Sequence, residues 1–142
     1  MSTPVKCISL YEPWATLLLV NGELGKRYET RSWRTHYRGR LYIHASARWS
    51  REQSERWHEF RESLQNLSPG SGHVLGHVDL MECITTEDAL QRGLSEREIA
   101  FGDYGPGRYA FRLTNPVRLK KPVPARGKLN IWTWIPPEGW MP

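Results

Sequence analysis

The chain has 142 residues, of which 39% are hydrophobic and 25% are charged. This length predicts a single domain, residues 1–142, built around one core. We expect neither a membrane protein nor a secreted one, because no stretch approaches the roughly 18 apolar residues of a spanning helix and no apolar run follows a basic start.

The two cysteines, Cys7 and Cys83, lie far apart in the chain and lack the close spacing of metal ligands. Two buried, reduced thiols are the simplest interpretation of this pattern. We therefore expect a cytoplasmic protein.

The net charge is +5, but its distribution along the chain is uneven. Residues 1–50 carry eight Lys and Arg against three Glu, residues 51–104 carry five Arg against eleven acids, and residues 105–142 carry seven Lys and Arg against one Glu. If the two basic ends meet in space, they form one positive face that attracts a phosphate backbone in a salt-dependent way. The alternative is a set of separate solvated faces.

The first third of the chain predicts one helix among three strands. Pro13 suits the first turn of a helix, where its missing N–H costs nothing, and the apolar run Ala15–Val20 continues it to a stop at Asn21-Gly22. Apolar and polar residues alternate in the predicted strands, which are Val5–Leu10, Tyr28–Trp33 and Gly39–Ser46.

A second helix is predicted behind Ser50, which forms a capping-box signature with Gln53. Trp57, Phe60 and Leu64 fall on one face of this helix and indicate core packing rather than a binding surface.

The remaining elements follow a loop at Leu67–Gly72. The predicted strands are Val74–Ile84, Tyr109–Thr114 and Leu129–Ile135, and the short helices are Thr86–Gln91 and a turn from Ser95 to Gly102. About six strands and two to three short helices favour an α+β fold, with the strands in a closed or nearly closed barrel.

The densest polar and aromatic stretch runs from Gly25 to Arg34. On a strand, Glu29, Arg31 and Trp33 share one face. A carboxylate, a guanidinium and an indole on one face suit a nucleotide: Arg holds a phosphate or base edge, Glu accepts from an exocyclic amine, and Trp stacks. An ordinary ion pair beside a core Trp is the alternative.

The basic C-terminal segment also has two interpretations. Lysines and arginines interleave there with prolines and precede a Trp-rich strand: Arg118, Lys120, Lys121, Pro122, Pro124, Arg126 and Lys128. Basic charge beside aromatics is typical of single-strand binding surfaces. Alternatively, the prolines and lysines protect a strand edge.

We expect no metal and no cofactor. His73 and His77 would lie roughly 13 Å apart on a strand, too far for one ion at about 2 Å from each nitrogen. Serine hydrolase, phosphate-loop and dinucleotide signatures are absent from the sequence.

Several motifs follow one another along almost the whole chain: Ser9-Leu10-Tyr11-Glu12-Pro13-Trp14-Ala15, Gly22, Lys26, Glu29-Thr30-Arg31-Ser32-Trp33, Tyr37-Arg38-Gly39, Gly76-His77-Val78-Asp79-Leu80, Gly107-Arg108-Tyr109-Ala110-Phe111 and Pro124-Ala125-Arg126-Gly127. In this order and spacing they resemble the ASCH domain family. The family signature is Gly-x-Lys-x-x-Glu-x-Arg, and two extra residues separate Gly22 from Lys26 here.

The resemblance implies a PUA-like mixed β-barrel of about six strands with two to three flanking helices. It also implies a cleft lined by Lys26, Glu29 and Arg31 and an association with RNA or DNA. Some small relatives are N4-acetylcytidine amidohydrolases and others are ribonucleases. The amidohydrolases' nucleophilic Thr position is occupied here by Glu29, and Thr30 would face away on a strand.

We therefore predict a nucleic-acid-binding domain that accommodates a nucleotide or an unpaired base of RNA or single-stranded DNA in a basic cleft, acting as a monomer. The predicted contact residues are Pro13, Trp14, Lys26, Glu29, Arg31, Trp33, Arg34, Arg38, Arg108, Arg126 and Lys128. An alternative is a hydrolase of RNA or a modified nucleoside, with Lys26 and Glu29 as acid–base partners. A protein-interaction barrel without nucleic acid is the third option.

Overall fold

The computed structural model describes residues 2–140, which fold around one six-stranded sheet. The strands are β1 Val5–Leu10, β2 Tyr28–Arg31, β3 Gly39–Ala45, β4 His73–Thr85, β5 Tyr109–Pro124 and β6 Ile131–Trp134. The helices are α1 Trp14–Leu18, α2 Arg51–Glu59, α3 Arg61–Leu64, α4 Thr86–Gln91 and α5 Glu96–Ala100, with a 3-10 turn at Gly22–Leu24. No helix in this part of the chain is long and apolar enough to cross a bilayer.

The strand order is β2-β5-β4-β3-β1-β6, and every neighbouring pair is antiparallel except β1 and β3. The predicted mixed α+β class is confirmed. Barrel closure is not found among residues 2–140, because β2 and β6 each pair with a single neighbour. Both edge strands have only four residues, so each offers a short row of backbone groups for further pairing.

Strand β5 is longer than the sequence pattern predicted. It continues past Thr114 to Pro124 because the chain passes Asn115 in the left-handed region, at φ 53°, and a register shift against β4 absorbs the irregularity. Most of the basic C-terminal segment therefore lies on a strand. The loop that joins β5 to β6 is left with residues 125–130.

The helices are more numerous than predicted, although α4 has the predicted bounds, Thr86–Gln91. The helix behind Ser50 begins with the expected capping box, in which the Ser50 N–H donates to Gln53 Oε1 at 2.8 Å. It is interrupted at Phe60, whose ψ of 23° separates α2 from α3. Trp57 and Phe60 still pack with the buried Leu64, so the predicted core role of this stripe is confirmed.

The main core lies between α1 and the sheet and includes Leu18, Leu41 and Phe111. A second cluster contains Cys7 with Tyr42, Trp132 and Trp134. Burial raises the pKa of the Cys7 thiol, which keeps it protonated. Cys83 is partly buried, and both thiols are free.

A buried carboxylate joins α1 to the loop before β4. Glu12 is 1% exposed and accepts hydrogen bonds from Thr16 N–H at 2.9 Å, Thr16 Oγ1 at 2.6 Å and Gly70 N–H at 2.9 Å. Since a buried carboxylate needs such donors, this residue fixes the start of α1 and with it one wall of the cleft described below.

Replacing Glu12 with Ala is expected to lower the free energy of unfolding by roughly 2–3 kcal/mol, because it leaves buried N–H groups without an acceptor. Urea unfolding followed by circular dichroism measures this change. The matched control is Glu55→Ala, which removes a largely exposed carboxylate paired with Arg51 and is expected to cost about 0.5 kcal/mol. Equal losses in the two variants would contradict the role given to Glu12.

Candidate functional site

A large cleft of about 1120 Å³ opens between the ends of β1 and β3, the strand β2 and the loop of residues 125–130. Six of the residues predicted from the sequence line it: Trp14, Glu29, Arg31, Trp33, Arg126 and Lys128. Nonlocal strand pairing therefore brings residues from both basic ends of the chain to one concave surface.

Glu29 lies on the floor of this cleft because β2 alternates between core and cleft. Tyr28 and Thr30 are buried, whereas Glu29 and Arg31 are partly exposed on the opposite face. Glu29 Oε1 lies 3.2 Å from Lys26 Nζ, and its Oε2 accepts from Arg31 Nε at 2.8 Å. The side chain is 12% exposed, so two cations hold the carboxylate in one orientation while it still faces the cleft.

Lys26 lies beneath the cleft rather than in its wall. Its side chain is 1% exposed, and its ammonium donates to the carbonyl oxygens of Tyr28 and Phe101 as well as pairing with Glu29. Two of its three N–H donors are thus satisfied by carbonyl oxygens, and the ion pair with Glu29 compensates the buried charge. Lys26 therefore positions Glu29 and, being buried, does not face a ligand in the cleft.

A second buried carboxylate supports the start of β2. Glu98 accepts from the backbone N–H groups of Arg27 at 2.8 Å and Tyr28 at 3.3 Å. Burial raises the pKa of Glu98, and the nearby Lys26 ammonium opposes this rise. These contacts join β2 to α5 and so set the position of Glu29 relative to the core.

Trp33 and Arg31 complete the floor of the cleft. Although β2 ends at Arg31, Trp33 still lines the cleft and packs its ring edgewise on Phe111, with centroids 5.2 Å apart. The Arg31 guanidinium lies 5.9 Å from the Trp33 ring centre and donates from Nη2 to the Ser9 carbonyl at 3.0 Å.

Sequence reasoning missed a polar network between β1 and β3. Ser9 Oγ lies 3.0 Å from His44 Nδ1, and His44 Nε2 lies 2.8 Å from the Ala125 carbonyl oxygen. Trp132 Nε1 donates to Ser9 Oγ at 3.1 Å. The register of the parallel strands β1 and β3 places Ser9 opposite His44, and the linear sequence does not show that these two strands pair.

The environment of His44 keeps its imidazole neutral. Burial lowers its pKa below the usual value of 6.5, the Ala125 carbonyl opposes that change, and nearby His73 adds to it. Because a carbonyl oxygen only accepts, Nε2 carries the proton and Nδ1 accepts from the Ser9 hydroxyl.

The loop of residues 125–130 carries two exposed cations over the cleft. Within residues 2–140, neither Arg126 nor Lys128 forms an ion pair. Gly127 lies directly against the network, since a Cβ there would come within 2.7 Å of Ser9 Oγ and 2.8 Å of His44 Cε1. The lack of a side chain lets the loop approach β1 and β3 closely.

Five predicted contact residues do not line the cleft: Pro13, Lys26, Arg34, Arg38 and Arg108. Pro13 is buried at the start of α1, and the Arg34 guanidinium carbon lies 5.3 Å from the Tyr109 ring centre. Arg38 donates to carbonyls of its own turn, and Arg108 pairs with Asp103 at 3.5 Å. Backbone carbonyls thus hold Arg38, and an acidic side chain holds Arg108. The linear sequence does not show which partner each of these cations takes.

The mixed sheet, its flanking helices and the Lys26–Glu29–Arg31 cluster at the cleft define a mixed α+β domain of the PUA-like kind. The ASCH domain family model matches residues 8–122, and the chain belongs to this family.

Activating signal cointegrator 1 from Homo sapiens is 34% identical over 134 residues, which covers 89% of this chain and 22% of that protein; the Mus musculus protein gives the same values. The chain thus spans about a fifth of the length of these relatives. The crystal structure of ASCH from Zymomonas mobilis matches with a TM-score of 0.50 and 19% identity, covering 84% of this chain and 72% of that one, and so supports the fold alone.

The neutral state of His44 predicts an acid-sensitive fold. The imidazole of His44 binds a proton more readily in the unfolded chain than in the folded one. Its contribution to the free energy of unfolding is therefore complete above about pH 6.5 and is lost as the pH falls through the lowered pKa. Burial also lowers the pKa of His77, which adds a second contribution of the same sign. We therefore expect the free energy of unfolding to fall between pH 7.5 and pH 5.

His44→Gln is expected to remove part of that fall and leave the part that His77 supplies. Urea unfolding at the two pH values measures both, with the exposed His36→Gln as the matched control. An unchanged pH dependence in His44→Gln would show that His44 is not held neutral by the fold.

Proposed function

We propose that the cleft binds an unpaired nucleotide of RNA or single-stranded DNA. The observation that carries the proposal is the fixed Glu29 carboxylate, held by Lys26 and Arg31 on a cleft floor whose rim carries the exposed cations Arg126 and Lys128. An acceptor at the bottom and cations at the edge match a base that enters the cleft while its phosphates stay outside.

The floor is suited to hold a base. Within residues 2–140, Oε2 of Glu29 accepts from Arg31 and Oε1 lies beside Lys26, so the carboxylate retains lone pairs that can accept from an exocyclic amine. Trp14 and Trp33 line the same space, and Tyr11 at the rim is 51% exposed. Aromatic faces of this kind stack on bases with about 1–3 kcal/mol per base.

The rim is suited to hold the backbone. Arg31 comes from the basic N-terminal part of the chain, and Arg126 and Lys128 come from the basic C-terminal part, yet all three line one cleft. Their convergence favours a shared positive face over separate solvated surfaces, and such a face attracts phosphates. Membership of the ASCH domain family supports the same ligand class, and we expect the domain to act as a monomer in the cytoplasm, where its thiols stay reduced.

The geometry favours binding over acid–base chemistry by Lys26 and Glu29. A general acid or base must reach the proton that it transfers. Lys26 is buried, donates to two carbonyl oxygens and pairs with Glu29, so it does not reach a substrate in the cleft.

Arg126→Gln combined with Lys128→Gln is expected to flatten the salt dependence of single-strand binding. Losing two phosphate contacts reduces the slope of log K against log salt by about 1.4 for a single strand. Fluorescence anisotropy with a labelled 12-nucleotide RNA and the matching DNA, each titrated at several salt concentrations, measures the slope.

The matched control is Lys120→Gln combined with Lys121→Gln. It removes the same charge from the preceding part of the chain, but these lysines lie outside the cleft, beside Trp140. If both double variants lower the slope equally, the effect is one of net charge and the cleft has no special part in binding.

Glu29→Gln tests the base-reading role. The amide keeps one acceptor and adds a donor, so we expect affinity to fall about tenfold for strands with an exocyclic amine at the bound base, and to fall less for uridine-only strands. The exposed Glu23→Gln is the control. Parallel incubation with RNA and with N4-acetylcytidine monitors turnover.

Unchanged binding with loss of turnover by a factor of 10²–10⁴ in Glu29→Gln would overturn the binding role and identify Glu29 as a general base. Equal weakening for all strands would contradict base reading while leaving a contribution to affinity.

A further inference from the structure

We propose that Ser9 is the nucleophile of a carboxylic-ester hydrolase activity in this cleft, with His44 as its general base. The substrate class is an acyl ester carried by a nucleotide or by the end of an RNA strand. The nucleotide part of this inference rests on the proposed function, whereas the reactivity of Ser9 stands on its own contacts.

The first observation is a pair of successive hydrogen bonds that join Ser9, His44 and the Ala125 carbonyl. The Ser9 hydroxyl donates to His44 Nδ1 at 3.0 Å, and His44 Nε2–H donates to the Ala125 carbonyl at 2.8 Å. A nucleophile within hydrogen-bond reach of a base, and a third group that orients the base, is the arrangement that activates a serine. The Ala125 carbonyl fixes the tautomer in which Nδ1 is free to take a proton.

The second observation is the surroundings of the Ser9 oxygen. Trp132 Nε1 donates to it at 3.1 Å, and its own proton is directed to His44, so one lone pair remains for attack. Both Ser9 and His44 line the cleft although His44 is 1% exposed. The base is therefore shielded from bulk water while the nucleophile is reachable from the cleft.

Two further residues suit this chemistry. A side chain at position 127 would come within 2.7 Å of Ser9 Oγ, so glycine lets the loop of residues 125–130 lie against the hydroxyl without displacing it. The Arg31 guanidinium, held by Glu29 and by the Ser9 carbonyl, has no acceptor for Nη1 within residues 2–140. Its positive charge lies beside the Ser9 backbone, and we expect it to stabilise the negative charge that develops on the ester carbonyl oxygen.

The reaction balances with water as its co-reactant. Ser9 Oγ attacks the ester carbonyl carbon while its proton passes to His44 Nδ1. The carbon–oxygen bond to the nucleotide then breaks, and His44 returns the proton to the departing alkoxide. Water attacks the acyl-serine in the same way, which releases the carboxylic acid and restores the Ser9 hydroxyl.

The orienting group favours esters over amides. A neutral carbonyl, not a carboxylate, stands behind His44, so no anion stabilises the imidazolium that forms during attack. The pair is thus a weaker base than a triad with an acid, and an alkoxide leaving group demands less of it than an amine does.

The test uses the full chain and an alkyl fluorophosphonate, which forms a serine–phosphorus bond as fluoride leaves and the base takes the proton. Intact mass and peptide mapping are expected to show one adduct, on Ser9. His44→Ala is expected to slow labelling at least 10²-fold. Ser46 lines the same cleft, and within residues 2–140 its hydroxyl has no hydrogen bond to a histidine, so Ser46→Ala is the matched control and is expected to label normally.

Hydrolysis of a 3′-O-acetyl nucleoside 5′-monophosphate is then measured for wild type, Ser9→Ala and Ser46→Ala. Loss of turnover only in Ser9→Ala, measured at a temperature at which circular dichroism shows this variant to be folded, supports the proposal. A wild-type Ser9 that stays unmodified, or that labels equally fast without His44, overturns it.

Single-strand binding by the same preparations separates this inference from the proposed function. Ser9 labelling without strand binding would retain the esterase and reject the nucleotide ligand. Strand binding by a protein whose Ser9 stays unlabelled would retain the nucleotide-binding function and reject the esterase.

Discussion

The buried ammonium of Lys26 is the contact on which the site depends. It donates to the carbonyls of Tyr28 and Phe101 and pairs with Glu29, so one charge joins β2, the segment after α5 and the cleft floor. A buried cation is costly unless it is hydrogen-bonded and paired with an opposite charge. That requirement leaves the carboxylate of Glu29 little freedom, and a carboxylate fixed in this way can discriminate between ligands without first being ordered.

A second network fixes the opposite wall of the cleft. His44 joins β3 to the loop of residues 125–130 through the Ala125 carbonyl, and Ser9 connects it to β1 and to Trp132. Buried hydrogen bonds therefore hold in place the loop that carries Arg126 and Lys128. Functional side chains on loops depend on such rigid support for their geometry.

Arg31 links the two networks. Its guanidinium donates to Glu29 on one side and to the Ser9 carbonyl on the other, so the base-facing carboxylate and the proposed nucleophile share a cationic neighbour. Binding of a nucleotide and reaction of an ester on it would then occur in one cleft of about 1120 Å³. The bound strand would supply the orientation that a weak nucleophile–base pair needs.

The sequence by itself determined the local features: the alternation that sends Glu29 and Arg31 to one face, the core stripe behind Ser50, and the family signature. These are set by spacing within a few residues, where strand and helix periodicity are decisive. Only the tertiary structure decided that Lys26 is buried and that Ser9 meets His44, because burial and strand register depend on which distant segments pair. It also left Arg108 outside the cleft, where an acidic neighbour holds it, since partners for exposed charges are chosen in space and not along the chain.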